Sequence, residues 1–253
     1  MYSRFYLYHL WKIEEELKRY HFEKRMIDFD WSSILREDFF LTGDQGNNSF
    51  LRNKETGLHI PAIRLGDETD ISLGTLVVFC DMEDGHYLQK IGLQNYICGF
   101  SRSGTPIFVC DNHNIVLEAW QLLKTKKPSL IHIDQHKDNA SIECKPTDSI
   151  YCTRICDYIQ YAQLNQWIKF DYLSFVESQD LPKLKKIRSL KRKIVNIDID
   201  FFVKDLSMIT IEDKINIICQ SCHHADLITI ATSPGFIDQS FAIKVAKLLW
   251  LYL

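Results

Sequence analysis

The chain has 253 residues, 46% of them hydrophobic and 25% charged, with a formal net charge of -3. That length can bury one large α/β core without covalent staples. The charge gives no nucleic-acid signature, and no apolar run is long enough to span a bilayer.

The residues after Met1-Tyr2-Ser3-Arg4 are not a pure hydrophobic segment with a small-residue cleavage site, so no secretory signal is expected. Eight cysteines are dispersed along the chain. Reduced thiols, a cytoplasmic location and no disulfide framework are therefore expected.

Residues 5–22 fit either a helix or a strand. A Gly/Asn-rich loop is expected from Gly43 to Asn48, and an exposed polar stretch from Arg64 to Asp70. Thr75 to Cys80 reads as a buried strand followed by an acidic loop, Asp81 to Gly85. From residue 105 the pattern sharpens. Pro106 to Cys110 is a strand, and Asp111-Asn112-His113-Asn114 a polar turn. Ile115, Val116, Ala119, Trp120, Leu122 and Leu123 mark a broad helical face. Leu130, Ile131 and Ile133 mark a second strand, and Ile155, Tyr158, Ile159 and Ala162 a second helix. Ile194 to Ile199 is a third strand. Thr210 to Asp213 resembles a capping box opening a helix. Leu227 to Ala231 is a fourth strand, and Thr232-Ser233-Pro234-Gly235 turns the chain. Asp238 caps a last helix with an apolar face of Phe241, Val245, Leu248 and Leu249.

This alternation predicts a mostly parallel sheet covered by helices, in one α/β domain over 1–253. Residues 1–104 are its less regular part. Residues 105–253 hold the chemistry, because three strands end in metal-seeking side chains. The first gives His113, the second Asp134, His136 and Asp138, and the third Asp198 and Asp200. Alternate residues of an extended chain share a face, and open α/β sheets keep their sites at the carboxyl ends of strands. Four carboxylates and two imidazoles exceed one tetrahedral zinc. They suit two divalent cations, manganese first among them, which together hold and deprotonate a water for hydrolysis.

This three-part set resembles the arginase, or ureohydrolase, family over roughly residues 105–235. The family carries a histidine in a turn after a strand, then Asp-x-His-x-Asp, then Asp-x-Asp. The resemblance implies a three-layer α/β/α arginase-like fold and two Mn2+ per chain. His113, Asp134, Asp138 and Asp198 would hold one ion; Asp134, His136, Asp198 and Asp200 would hold the other. In the implied reaction water attacks a guanidinium carbon and its C–N bond breaks, giving urea and an amine.

The departures concern the substrate. The family's Gly-Gly-Asp-His turn is Cys110-Asp111-Asn112-His113 here, and Phe201-Phe202 follows the last ligand in place of Asp-Pro. Where arginases of free arginine grip the guanidinium with a glutamate, Ala231 stands, and their histidine proton shuttle has no counterpart. These features resemble a divergent branch, the peptide arginases of ribosomally made, modified peptides of the landornamide type. That branch implies an arginine-containing precursor peptide as partner and ornithine as product. A small free guanidine or amidine as substrate, or a non-catalytic protein that retains the metals, are the alternatives. A one-zinc deacetylase fits less well, because Asp138 and Asp200 together favour two metals. No nucleic-acid or membrane partner is expected, and a homo-oligomer is compatible with the sequence.

Other residues have competing roles. Asp238 could anchor a guanidinium or only cap a helix. Asn139 could touch substrate or end the strand. His132 shares a strand face with Asp134, where it can orient a ligand or move a proton. Asp111 and Asn112 could support the ligands or only form the turn. Glu118 reads as a solvated helix residue. Cys219-x-x-Cys222-His223-His224 invites a zinc reading but lacks a partner Cys-x-x-Cys. Lys183 to Lys193 holds seven Lys or Arg in eleven residues, read as a solvated face or an acidic-partner contact.

Overall fold

A computed structural model describes residues 29–41, 57–84, 86–142, 144–169, 173–175, 192–203 and 210–253. The readings for residues 5–22, for Gly43 to Asn48 and for most of Lys183 to Lys193 lie outside them.

Eleven strands are described: β1 (Phe39–Leu41), β2 (Leu58–Ile60), β3 (Ile63–Leu65), β4 (Leu73–Glu83), β5 (His86–Leu93), β6 (Tyr96–Phe100), β7 (Pro106–Cys110), β8 (Ser129–Ile133), β9 (Leu173–Phe175), β10 (Lys193–Asp198) and β11 (Leu227–Ala231). The helices are α1 (Leu117–Trp120), α2 (Tyr158–Leu164), α3 (Ile211–Ser221) and α4 (Gln239–Tyr252). Seven strands form the central sheet in the order β3-β6-β7-β11-β10-β8-β9. Every neighbouring pair is parallel except β6 with β7, which is antiparallel. That pair is joined by a tight turn in which Gly104 takes φ 76°, the left-handed region that glycine enters without steric cost.

All residues of β7, β8, β10 and β11 are buried, as expected of strands with helices on both faces. On one face Thr229 of β11 accepts a hydrogen bond from the Trp120 indole, and Trp120 lies 5.7 Å from the Tyr158 ring of α2. Thr229 is in register with Phe108 of β7, and Phe108 with Cys98 of β6. The next residue, Gly99, faces the other way, where a Cβ would come 3.1 Å from the Trp250 ring of α4. The chain is thus a three-layer α/β/α fold with a mostly parallel central sheet.

Several expectations are corrected. Thr75 to Cys80 is a strand, as expected, but a half-buried one. It lies within β4, which among the described residues pairs with β5 in a separate antiparallel hairpin, so of these six only Val78, Phe79 and Cys80 are buried. The acidic stretch after it continues the strand. The helix after β7 is broken, running as 3-10 turns at His113–Val116 and Gln121–Leu123 around the short α1. Leu248 of α4 faces solvent, and the buried stripe instead takes Ala242, Val245, Ala246, Leu249 and Trp250. Of the basic stretch Lys183 to Lys193 the described residues are Arg192, which is exposed as expected, and Lys193, which is fully buried. Cys144 and Cys152 form a disulfide with Cα atoms 6.0 Å apart, a separation such a bridge spans. The other six cysteines form no disulfide among the described residues. No helix among the described residues is long and apolar enough to cross a membrane.

The sheet brings the chemistry to one edge. Register pairs Ile133 with Ile197, Asp198 with Ala231, and Ala231 with Cys110. Four strands therefore end level, and the turns after them open side by side. After β8 the chain moves outward to β9, then returns to β10 on the other side of β8. That reversal leaves a crevice between the carboxyl ends of β8 and β10, where such sheets bind ligands.

Candidate metal centre

The turn after β7 carries His113, whose Nδ1 lies 3.2 Å from Asp134 Oδ2, 3.1 Å from Asp138 Oδ2 and 2.7 Å from Asp198 Oδ2. On the other side of Asp134, His136 Nδ1 lies 3.3 Å from Asp134 Oδ1 and 3.0 Å from Asp200 Oδ2. The ligand atoms form two groups, His113 with Asp134 and Asp138, and Asp134 with His136 and Asp200. Asp134 belongs to both, with one oxygen toward each side. Asp198 places Oδ2 by His113. Its Oδ1 accepts from the Ser233 hydroxyl at 2.5 Å and from Asp200 N at 3.1 Å.

The backbone explains this convergence. After β8 the chain bends so that His136 N donates to Asp134 Oδ1 at 2.5 Å. Asp138 then takes φ 45°, which turns its carboxylate back toward His113. After β10, Asp198 caps the 3-10 turn Ile199–Phe202 and thereby presents Asp200.

These residues fit hard divalent cations. Oδ2 of Asp138, Asp198 and Asp200 are buried, each with an imidazole nitrogen of His113 or His136 as its near neighbour and no backbone or hydroxyl donor among the described residues. Buried polar atoms are normally satisfied, and carboxylate oxygens with imidazole nitrogens are the donor set of such ions. Without cations the electrostatics are those of crowded charges. Burial pushes Asp138 up to about 8, opposed by His113 and reinforced by Asp134 and Asp198. Burial and the neighbouring Asp198 push Asp200 up to about 7. Hydrogen bonds donated to Asp134 and Asp200 raise His136 to about 10. Burial opposes ionisation of Asp134, but His132, His113 and His136 outweigh it and hold its carboxyl well below the usual range.

His132 supports the loop from beneath. Asn196 Nδ2 donates to His132 Nδ1 at 3.1 Å, which leaves Nε2 as the protonated nitrogen. That Nε2 faces the His136 carbonyl at 3.2 Å. Asn196 also donates to the Tyr158 hydroxyl at 2.9 Å and accepts from Thr229 at 2.6 Å. Burial holds the His132 imidazole below its ordinary pKa, in keeping with a neutral ring.

The turn after β7 is braced from the hairpin. Asp111 Oδ1 accepts from Leu93 N at 2.7 Å, and Asn112 donates to the Val78 carbonyl at 3.1 Å. Both residues thus support the His113 turn. Glu118 is corrected from a solvated position: it is buried and paired twice with Arg36, through Nε at 3.0 Å and Nη2 at 2.5 Å.

Two further candidates make bonds outside the ligand groups. Asp238 is exposed and caps α4, its Oδ1 accepting from Phe241 N at 2.9 Å. Asn139 is exposed, and its carbonyl accepts from Gln160 Nε2 at 3.1 Å. Cys219, Cys222, His223 and His224 line a small cavity with Ser103 and Thr105, but their ligand atoms do not gather as a metal group. Ser233 and Asn196 are the supporting residues that sequence reasoning missed. Asn196 had a signal, a polar residue two before Asp198 on the same strand face. Ser233 had none, since its partner comes from another strand.

No protein-family model matches the chain, and no curated protein matches it. Among solved structures it is similar to the proclavaminate amidino hydrolase from Streptomyces clavuligerus, at 12% identity over 58% of this chain and 62% of that one, with a TM-score of 0.42. It is also similar to a hypothetical agmatinase from Burkholderia thailandensis, at 12% identity over 60% and 58%, with a TM-score of 0.47. A third is the agmatine ureohydrolase of Thermoplasma volcanium, at 15% identity over 59% and 62%, with a TM-score of 0.40. The chain thus spans 62%, 58% and 62% of the lengths of these three structures.

Proposed function

We propose that the chain is a binuclear metal hydrolase that acts on arginine side chains of a precursor peptide and yields ornithine and urea. The observation that carries the reading is Asp134 lying between two ligand groups, each with its own histidine and a second carboxylate. Two cations held there would supply a deprotonated water at neutral pH; manganese suits the donors best. The protein's part is to hold the ligands. Ser233 and the Asp200 amide fix Asp198, His132 holds the loop of His136, and the hairpin steadies the turn of His113.

A peptide substrate is supported by access. Among the described residues, 48% of the His136 side chain faces solvent, so a side chain borne on a polymer can reach that flank. The buried Ala231 supplies no carboxylate where enzymes of free arginine would grip it.

The test is urea release by the manganese-loaded protein from free arginine, agmatine and an arginine-containing peptide. Urea from the peptide alone is expected. Urea from free arginine or agmatine alone moves the assignment to a small-guanidine hydrolase. Two bound metals without urea from any of the three would mark a binding protein.

A further inference from the structure

The turn after β11 carries a large apolar side chain that the core does not claim. Phe236 is 45% exposed, yet its backbone is pinned. Phe236 N donates to Ser233 O at 3.0 Å, and Ser233 N donates to Asp111 O at 2.8 Å. Gly235 lies so close over Phe79 that a Cβ there would come 2.4 Å from the ring. The Phe79 and Phe236 rings are 6.1 Å apart, edge to face. An exposed aromatic side chain held on a pinned turn can offer a fixed ring face to a ligand.

Its position gives that surface a use. The Phe236 ring lies 5.3 Å from the His136 ring, tilted by 45°. His136 is the half-exposed member of the ligand set, so the two rings form the solvent-side rim of the centre. The charge count adds a need. Two divalent cations would be balanced by the carboxylates of Asp134, Asp138, Asp198 and Asp200. A loaded centre then keeps little negative charge with which to draw in a cation, and no carboxylate stands at Ala231. An aromatic face attracts a planar cation through its quadrupole.

We propose that Phe236 is the platform on which the substrate's guanidinium lies flat, at the rim formed with His136. The inference rests on the reading of the chain as a guanidine hydrolase. It names a binding residue, and it assigns the cation's recognition to a ring face instead of an anion.

The experiment measures two quantities on manganese-loaded protein with N-acetyl-arginine amide as probe: calorimetric affinity, and KM with kcat for urea release. Phe236→Leu keeps apolar bulk and removes the π face, whereas Phe236→Trp keeps the face. Phe236→Leu should weaken binding and raise KM about tenfold, with kcat and metal content unchanged, while Phe236→Trp stays near wild type. Wild-type binding and KM in Phe236→Leu would overturn the platform, as would loss of manganese in that variant. If wild type binds the probe without releasing urea and Phe236→Leu still weakens binding, the hydrolase reading fails and the platform stands. If urea is released and Phe236→Leu is unaffected, the reverse holds. A wild type that does not bind the probe overturns the platform.

Discussion

Ser233, which follows a strand from which no ligand comes, donates its hydroxyl to Asp198 Oδ1 at 2.5 Å. The bond fixes the rotation of Asp198 and leaves Oδ2 facing His113. Ser233→Ala removes it without adding bulk. Supporting partners of metal ligands typically contribute about 10–100-fold in metal affinity. Ser233→Ala should therefore bind manganese at least about tenfold more weakly, read by titration of the metal-free protein, with the far-UV spectrum unchanged.

The two ligand groups share Asp134 but not their other members. Asp134→Asn should abolish loading at both positions and with it urea release. Asp138→Asn and Asp200→Asn should each lose one ion and keep the other. Elemental analysis after gel filtration checks this. Equal loading in all three variants would show that Asp134 does not bridge.

Raised acids and raised histidines set how the metal-free protein responds to pH. The folded protein holds protons on Asp138 up to about 8 and on Asp200 up to about 7, whereas in the unfolded chain both ionise near their ordinary value. The unfolded state therefore binds fewer protons, and stability falls as pH rises across that interval. His136, raised to about 10, contributes stability that is present below the ordinary histidine value and is lost toward 10, with the same sign. The melting temperature of the metal-free protein should fall from about pH 5 to pH 9. Manganese should reverse the trend, because metal binding displaces these protons and tightens as pH rises. A metal-induced shift that does not grow with pH would contradict the account.

Asn196 satisfies three groups at once, His132, Tyr158 and Thr229. Asn196→Leu strands them in the core, at a cost of about 1–3 kcal/mol for each buried group left unpaired. The chain should lose at least about 2 kcal/mol in urea denaturation. A conservative Thr229→Ser, which keeps the hydroxyl, should lose much less.

Arg36 and Glu118 are 82 residues apart in sequence. Arg36→Met leaves a buried carboxylate without its cation, a loss of about 3–5 kcal/mol. Arg36→Met with Glu118→Leu should recover much of that stability, as measured by a double-mutant cycle.

Readability in the sequence followed range. β7, β8, β10 and β11 are short apolar runs whose neighbours cover both faces, so composition alone marks them. His113, Asp134, His136, Asp138, Asp198 and Asp200 follow those runs directly and could be located with them. What stayed hidden depends on partners far along the chain. The β4–β5 hairpin is half-solvated, and its alternation is interrupted by register shifts, so it reads as one buried run. Glu118 looks solvated until Arg36 returns to it. Ser233 looks like an ordinary turn residue until β11 and β10 lie side by side.

The hairpin has a consequence for engineering. Val78 and Leu93 hold the turn that presents His113, while Phe79 underlies the turn that presents Phe236. Gly92 has no room for even a methyl group, since a Cβ would come 2.4 Å from both Asp111 and Val78. These inner positions act as a chassis and should be left intact when the chain is redesigned. The outward Leu76 and Ile91 are free for randomisation, so a library aimed at new substrates can recut the hairpin's outer face without touching a metal ligand.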